Sequence, residues 1–427
     1  MVYSVIWLIA SVTAMRRSLT RATLCMAVVL TFAGLLLSCG DYQPVTKPQS
    51  CCAPAPISLP LHVQGQWIVD ANNRRVKLTG VNWYGAEEQD HVVAGLEIAD
   101  LNQIAAKIKA LGFNSVRLPW SNELYETNPP VSDIVVAANP QLKGLHAMEV
   151  FDSVVNALAN QGLLIILDNH VSTADWCCSN TDGNQLWYNS QYPQTAWLAD
   201  WQGMAERYRA QPAVVAVDLR NEPRATATWG GAPQYDWRVA AQLGGNAVLS
   251  VNPTLLVMVE GINYASDLTG VAQLPVTLKV LNHVVYSAHD YSWYHNGLSS
   301  YSQLQQQLDQ AWGYLLAPGQ IYTAPVWVGE YGTCHTSSVC LQDSTPGSQG
   351  FWFSNFLLYL KQRDIDWNYW ALNGTQAKGT SRTFGAEETY GVLDISWLSP
   401  AGPPAVSLLQ TLQGVVPASQ GPGVGTH

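Results

Sequence analysis

Short apolar segments alternate with segments of helical periodicity through most of the chain. The apolar segments are β-rich and nearly continuous, as strands buried on both faces of a parallel sheet are. Eight strands are predicted, at Val76–Trp83, Ser115–Leu118, Leu163–Asp168, Val214–Leu219, Leu255–Val259, Val284–His289, Val326–Glu330 and Asp366–Trp370. Amphipathic helices are predicted between them, at Leu101–Leu111, Val150–Asn160, Trp197–Tyr208, Trp237–Leu249, Tyr301–Leu315 and Phe351–Arg363. This alternation predicts an α/β fold, a (β/α)8 TIM barrel.

A doubly wound sheet is the alternative, because the fifth strand is followed by a weak helical pattern at best. That fold lacks support from any glycine-rich nucleotide-binding turn, since neither GxGxxG nor GxxxxGK occurs. Before the first barrel strand, Leu61–Val69 and the DANNRR that follows predict a small N-terminal β-hairpin at the bottom of the barrel.

Residues 1–38 have the pattern of an export signal, with translation starting at Met1 or at Met15. A basic stretch precedes an apolar run, Ala22–Leu37, that is too short for a stable membrane span. The run ends in LLSC, which resembles the bacterial lipoprotein box and makes Cys39 a candidate for lipidation. An ordinary signal peptide cleaved nearby is the alternative. We therefore expect an exported bacterial protein, either lipid-anchored in the envelope or secreted.

The remaining chain is predicted to divide into a Pro-rich linker at 39–56, one large catalytic domain at 57–416 and a disordered tail at 417–427. The 427 residues carry a net charge of −10, and only 12% of them are charged. So few basic residues argue against nucleic acid as a partner. The 17 Trp and 19 Tyr favour a neutral, hydroxylated ligand, such as a polysaccharide or oligosaccharide. We expect a monomer, with a lipid anchor at Cys39 as its one candidate contact with a membrane.

Six cysteines remain once Cys25 and Cys39 are assigned to the leader and its cleavage site. An even number in an exported chain predicts disulfides. Cys334 and Cys340 flank five residues just after a predicted strand, so we expect them to pair. The pairing of the other four stays open; they are Cys51, Cys52, Cys177 and Cys178.

Polar or aromatic residues end nearly every predicted strand, at the face where barrel enzymes place their chemistry. They are Asn82, Trp83, Arg117, Asp168, Asn169, His170, Asn221, Glu222, His289, Tyr291, Glu330 and Trp370. Glu222 and Glu330 follow the fourth and seventh strands, which end on opposite sides of the barrel mouth. Glycoside cleavage needs such a pair of carboxyl groups. Glu260, at the end of the fifth strand, is a third candidate that we expect to be structural.

In this respect the chain resembles glycoside hydrolase family 5, and most closely its bacterial endo-β-1,4-glucanase (cellulase) branch. The matching segments run in order from about Leu61 to Gln413: DANNRRVKLTGVNWYG, FNSVRLPW, LLIILDNH, VVAVDLRNEP, DWRVAAQLGGNAVLSVNP, VYSAHDY, VWVGEYG and YWALNG. The resemblance implies a retaining endo-glycosidase that cleaves β-1,4-linked glucan without a metal or organic cofactor.

The resemblance also implies a role for each matching residue. Glu222 would be the acid/base and Glu330 the nucleophile. Arg117 would lie beneath the nucleophile and stabilise its charge, and Tyr291 would orient it. The sugar would be bound by Asn221 at its 2-hydroxyl, by His170 and His289 along the subsite wall, and by Trp370 as the floor, with Asn82 in support.

Two loops depart from the family pattern. EGINYASDLTGV lacks a Trp-rich loop after the fifth strand, and NGTQAKGTSRTFGAEETYGVLD after the eighth is long and unusually polar. Mannan, mixed-linkage glucan and a glycolipid headgroup therefore stay open as substrates. Three tryptophans in the loops are candidate sugar platforms, Trp229 ahead of Trp187 and Trp293, whereas Trp120 and Trp327 are expected in the core.

Two other classes of protein are alternatives, a metal-dependent hydrolase and an inactive carbohydrate-binding barrel. A metal-dependent hydrolase would use a histidine cluster, for which His283, His289 and His295, with His91 and His170, are the candidates. That class normally has an HxH motif on the first strand, and this chain has Val81-Asn82-Trp83 there. A catalytically inactive carbohydrate-binding barrel would use the tryptophans alone, yet both glutamates and their supporting residues are present.

Overall fold

A computed structural model describes residues 56–402, 407 and 409–411 of the chain. Within that part, eight parallel strands close into a barrel in the order β10-β3-β4-β5-β6-β7-β8-β9. The barrel strands are β3 (Thr79–Asn82), β4 (Ser115–Ser121), β5 (Leu164–Val171), β6 (Val214–Asp218), β7 (Leu256–Glu260), β8 (Val284–Asp290), β9 (Val326–Tyr331) and β10 (Asp366–Tyr369). The predicted TIM barrel and all eight of its strands are confirmed, with end points that differ by a few residues.

Helices surround the barrel. They are α1 (Leu101–Ala110), α2 (Asn122–Thr127), α3 (Ala147–Asn160), α4 (Gln194–Arg207), α5 (Trp237–Val251), α6 (Tyr301–Ala311), α7 (Ser338–Leu341) and α8 (Gln349–Arg363). Helix α1 illustrates the local rules, because Asp100 caps its N-terminus by accepting bonds from the Asn102 and Gln103 amides. Only a short 3₁₀ turn, Thr269–Ala272, lies between β7 and β8, where the sequence predicts a weak helix at best. None of the described helices is long and apolar enough to cross a bilayer.

The predicted N-terminal hairpin is also confirmed. Strands β1 (His62–Gln64) and β2 (Trp67–Val69) pair antiparallel. Leu61 and Ile68 pack in one apolar cluster with Leu164 and Leu256, which begin two of the barrel strands. The hairpin therefore closes the amino-terminal end of the barrel and leaves the opposite end for chemistry.

Several sequence predictions fall outside the described residues. They are the leader at 1–38, the lipidation of Cys39, the linker up to residue 55 and the tail at 417–427. All four stay predictions.

Candidate active site

The carboxyl ends of the strands surround a cavity of about 540 Å³. Its lining includes six residues predicted from the sequence: His170, Asn221, Glu222, Tyr291, Glu330 and Trp370. Three others, Asn82, Arg117 and His289, lie beneath the cavity with no exposed surface. The cavity therefore has a polar floor of buried, mutually bonded groups, and Glu222 and Glu330 reach its surface.

Arg117 on β4 is the centre of that floor. Its guanidinium lies 2.7 Å from Glu330 Oε1, 2.9 Å from Asp218 Oδ2 and 3.0 Å from Glu260 Oε1. It also donates to Asn221 Oδ1 at 2.9 Å. A buried charge is tolerated only when it is paired and hydrogen-bonded in this way. Arg117 thereby fixes the positions of residues in β7 and β9 and at the end of β6.

Asn82 at the end of β3 supports the same floor. Its side-chain amide donates to the carbonyls of Gly329 and Tyr369, at 3.0 and 3.1 Å, and its oxygen accepts from Arg117 at 3.2 Å. Asn82 thus joins the backbones of β9 and β10 below Glu330 and has no surface toward the cavity.

Glu330 is held from two sides. Arg117 donates to Oε1, and the Tyr291 hydroxyl donates to Oε2 at 3.0 Å. Burial, with the nearby Glu330 carboxylate, raises the pKa of Tyr291 well above its usual value, so the phenol keeps its proton and acts as a donor. Both contacts orient the Glu330 carboxyl group.

Glu222 has a different environment. It follows β6 in a left-handed backbone conformation, φ 48°, which is uncommon for a non-glycine residue and typical of functional sites. Its Oε1 lies 3.0 Å from His289 Nδ1. The pKa of Glu222 is raised, because burial outweighs the hydrogen bond from His289. Glu330 is thus paired with an arginine, whereas the surroundings of Glu222 favour its protonated form.

The two carboxyl groups are close. One oxygen of Glu222, one of Glu330 and a ring nitrogen of His289 all lie within 4.8 Å of one another. Retaining glycosidases separate their two carboxyl groups by about 5–5.5 Å, and inverting enzymes by about 6.5–9.5 Å to admit a water. The nearest oxygens of Glu222 and Glu330 are thus closer together than the range given for inverting enzymes.

His289 occupies a place that the sequence did not predict. Its ring has no exposed surface and lies 3.3 Å from Glu260 Oε1 and 3.7 Å from Glu330 Oε2. Burial alone would lower the pKa of His289, but Glu260 and Glu330 raise it well above the usual value. The ring does not line the cavity, and its contact with a bound sugar stays a prediction. A register shift between Ala288 and His289 displaces the strand here, and the ring lies behind Glu222.

Trp370 and His170 form an aromatic wall. The two rings stack with centroids 5.5 Å apart and an interplanar angle of 16°, and Tyr84 stacks on Trp370 at 5.2 Å. Asp168 Oδ2 lies 2.6 Å from His170 Nδ1 and fixes the imidazole. Burial would lower the pKa of His170, but Asp168 raises it, and the ring lines the cavity.

The model of the cellulase family, glycosyl hydrolase family 5, matches residues 69–376. The chain belongs to this family. It is similar to an endoglucanase of Paenibacillus polymyxa, with 36% identity over 73% of this chain and 79% of that protein. It is 38% identical to the major extracellular endoglucanase of Xanthomonas campestris, over 46% of this chain and 39% of that protein. The solved catalytic domain of the X. campestris enzyme superposes with a TM-score of 0.71 at 27% identity, covering 83% of this chain and 99% of that domain. Membership of family 5 makes the protein a glycoside hydrolase of the endoglucanase type.

The rim of this family 5 site differs from the sequence prediction in its tryptophans. Trp229 does not line the cavity; its indole N–H donates to the Leu274 carbonyl at 2.9 Å, and its ring covers Gly270. Trp293 does line the cavity, is 52% exposed, and stacks on Tyr291 at 4.4 Å. Of these two tryptophans, Trp293 therefore lies at the cavity, and sugar binding by Trp229 stays a prediction. Trp187 is buried, and Trp120 and Trp327 lie in the core as predicted.

Sequence reasoning missed part of the opposite rim. Arg382 lies over the Trp176 ring, 3.8 Å from its centroid, and pairs with Glu388; all three line the cavity. Arg382 and Glu388 belong to the long polar loop after β10, whose unusual composition was the available signal. Nothing in the sequence indicates that Trp176 belongs to the site, because it lies in the loop after β5 and reaches the cavity only when the chain folds.

The histidines proposed for a metal-dependent hydrolase do not come together. Among the described residues, His283 Nδ1 bonds the Leu255 carbonyl near the start of β8, and His295 bonds Asp290 and Gln307. Neither belongs to a group of three potential metal ligands in this part of the chain. His289 does lie in one such group, with Glu222 and Glu330. The histidines themselves are thus spread over different places in the fold.

Two disulfides occur in the described part. Cys334 pairs with Cys340 in the loop after β9, the pairing expected from their spacing. Cys177 pairs with its neighbour Cys178, a partner that the sequence left open, and both line the cavity.

Proposed function

We propose that this protein is an exported, retaining endo-glycosidase that cleaves β-1,4-linked glucan by double displacement. The proposal rests above all on the closeness of Glu222 and Glu330 together with their unequal partners. Glu330 contacts Arg117 and Tyr291, which suits a nucleophile that must be charged. The raised pKa of Glu222 suits an acid that must carry a proton.

In the first step, a Glu330 oxygen attacks the anomeric carbon while Glu222 gives its proton to the departing glycosidic oxygen. The bond to the leaving sugar breaks, and an ester to Glu330 forms. The Asn221 amide is directed into the cavity because its oxygen accepts from Arg117, which leaves the NH2 group to bond the sugar 2-hydroxyl. Trp370 provides a face against which the reacting ring stacks.

In the second step, the ionised Glu222 takes a proton from a water that attacks the same carbon from the opposite side. The ester breaks, Glu330 is released as a carboxylate, and two inversions restore the β configuration. No metal or organic cofactor takes part in either step.

Glucan as the substrate is supported by the endoglucanases among the relatives, and the rim loops leave the choice of glycan to be measured. Reducing-sugar release should be assayed side by side on carboxymethylcellulose, lichenan, β-mannan and xylan, with Glu330→Ala as the blank. We expect release from carboxymethylcellulose with a rapid fall in viscosity, as internal cleavage requires. Release from mannan or xylan alone would refute glucan specificity, and no release from any of them would support a binding barrel.

Export with a lipid anchor at Cys39 is the proposed localisation, based on the leader pattern at 1–39. Labelled fatty acid should enter the wild type during bacterial expression and be lost in Cys39→Ser. Equal labelling of both, or of neither, contradicts the anchor and leaves an ordinary secreted enzyme.

A further inference from the structure

The Cys177–Cys178 disulfide forms part of the cavity wall beside Glu222. It lies in the loop that follows β5, and both cysteines line the cavity. One sulfur of each cysteine and one carboxylate oxygen of Glu222 lie within 4.8 Å of one another. The disulfide is therefore a neighbour of the proposed acid/base, and Cys178 is partly exposed.

Both sulfurs also contact Asn221. The Asn221 side-chain nitrogen lies 3.5 Å from Cys177 Sγ and 3.5 Å from Cys178 Sγ. At the other end of the same amide, the oxygen accepts from Arg117 at 2.9 Å. The amide is thus held between a fixed cation and a fixed pair of sulfurs, which are weak acceptors. This arrangement determines which way the NH2 group points.

The loop that carries the disulfide is tied to the segment that carries Glu222. Arg224, two residues after Glu222, donates from Nε to the Ser179 carbonyl at 2.9 Å. Tyr264 donates to Asn180 Oδ1 at 2.8 Å from the loop after β7. These contacts fix the disulfide against the acid side of the site, so a change at the sulfurs reaches Asn221 and Glu222 directly.

We propose that the Cys177–Cys178 disulfide is a redox-sensitive positioning element that holds Asn221 and Glu222 in the geometry needed for proton transfer. The inference rests on the proposed function and adds a residue pair that acts through Asn221 and Glu222 without touching the reacting atoms. In the reduced state two independent thiols replace the bonded pair, the Asn221 amide loses its fixed contact, and water gains access beside Glu222.

Reduction by a phosphine balances with water as the one further reactant. The phosphorus attacks one sulfur, the S–S bond breaks, and water then supplies the oxygen of the phosphine oxide and the two protons of the thiols. The disulfide gains two electrons, and the phosphine loses two. Air or oxidised glutathione reverses the change at the protein.

The test uses the folded full-length enzyme in a Cys334→Ser/Cys340→Ser background, in which the vicinal pair is the disulfide left in the described part of the chain. Treatment with tris(carboxyethyl)phosphine should lower kcat on cello-oligosaccharides about tenfold or more, because small misplacements of catalytic groups have large effects. KM should change less. The alkaline limb of the kcat/KM profile should move to lower pH, because a wetter wall lowers the pKa of Glu222. Reoxidation should restore both values.

Cys177→Ser/Cys178→Ser is the matched variant. It should show the same low kcat and the same shifted alkaline limb in both redox conditions, and near-UV circular dichroism should report an intact fold. If this variant does not fold, the reduction experiment still decides. A reduced enzyme that keeps its kcat within about twofold and its alkaline limb unmoved overturns the inference while the proposed function stands. A wild type with no glycosidase activity in either redox state overturns both.

Discussion

Glu260 accepts a hydrogen bond of 2.6 Å from the backbone N–H of Glu222. Glu222 has a positive φ, a conformation that costs about 1–3 kcal/mol for a non-glycine residue and persists only where the surroundings enforce it. Glu260 has no exposed surface and also contacts Arg117 and His289. Glu260 therefore helps to hold Glu222, the proposed acid/base, in its unusual backbone position.

Replacing Glu260 by glutamine should damage catalysis more than binding. The amide keeps an oxygen for the Glu222 N–H but removes a negative charge that raises the pKa of Glu222. We expect kcat to fall about tenfold or more and the alkaline limb of kcat/KM to move to lower pH. Glu206→Gln, a change at a side chain that is 62% exposed, is the control and should leave both unchanged. An unmoved alkaline limb in Glu260→Gln would contradict this role.

The same substitution should change stability with a defined pH dependence. Burial alone would raise the pKa of Glu260, but His289, Arg117 and the Glu222 N–H lower it to about 2. A lowered folded-state pKa gives stability that is present above the unfolded value near 4.5 and is lost as the pH falls toward 2. The difference in Tm between wild type and Glu260→Gln should therefore be largest above pH 4.5 and shrink below it. A constant difference across that range would contradict the assignment.

Asp200 should contribute to stability with the opposite pH dependence to that of Glu260. It is buried on α4 and accepts from Asn122 at 2.6 Å. Burial raises the pKa of Asp200 to about 7, so its contribution to stability is complete below the unfolded value of 3.8 and is lost as the pH rises through 7. Asp200→Asn should raise Tm at pH 8 relative to wild type and remove part of the pH dependence between 4 and 8. Parallel Tm curves for the two proteins would refute this.

Substitutions of Trp293 and Trp229 should distinguish a ring that binds sugar from a ring that only packs. Trp293→Ala removes an exposed ring that stacks on Tyr291 in the cavity wall. We expect KM for cello-oligosaccharides to rise about 3- to 10-fold, the equivalent of about 0.5–1.5 kcal/mol for one stacked ring. Trp229→Ala is the matched control and should lower Tm with little change in KM, because that ring packs on Gly270 outside the cavity. Equal KM values in the two variants would contradict the placement.

The barrel and the strand-end residues could be predicted from the sequence for one physical reason. In a parallel barrel all strands end on one face, so Arg117, Asn221, Glu222 and Glu330 must meet once the strands are identified. Side chains within a strand alternate between its two faces, so their orientation depends on exact register. The register shift between Ala288 and His289 leaves no sequence signal, so the complete burial of the His289 ring could not be predicted.

The positions of loop residues were also hard to predict, because contacts with residues distant in sequence decide where they lie. Trp229 is held by the Leu274 carbonyl, 45 residues away. Trp176 is held under Arg382 from the loop after β10. Spacing and composition indicate that such loops are unusual, but the direction of each ring depends on partners that only the folded chain brings together.

Substitution of Glu330 and of Glu222 should impair activity in different ways. Glu330→Ala should lose turnover on every substrate, including activated aryl glycosides, because no glycosyl-enzyme can form. Glu222→Ala should lose about 10²–10⁴-fold on natural glycans but still react with an aryl glycoside whose leaving group needs no proton. It should then stall at the glycosyl-enzyme, and azide should rescue it with a β-glycosyl azide as product. Rescue of Glu330→Ala to a β product, with none for Glu222→Ala, would reverse the two roles.

The most direct test of the central claim is the configuration of the sugar first released. Proton NMR of the wild type acting on a cello-oligosaccharide, recorded in the first minutes before mutarotation, should show the β-anomer accumulating first. This follows from carboxyl oxygens that lie within 4.8 Å of each other, too close for a water-mediated single displacement. Initial release of the α-anomer would mean an inverting enzyme and would contradict the assignment of Glu330 as nucleophile and Glu222 as acid/base.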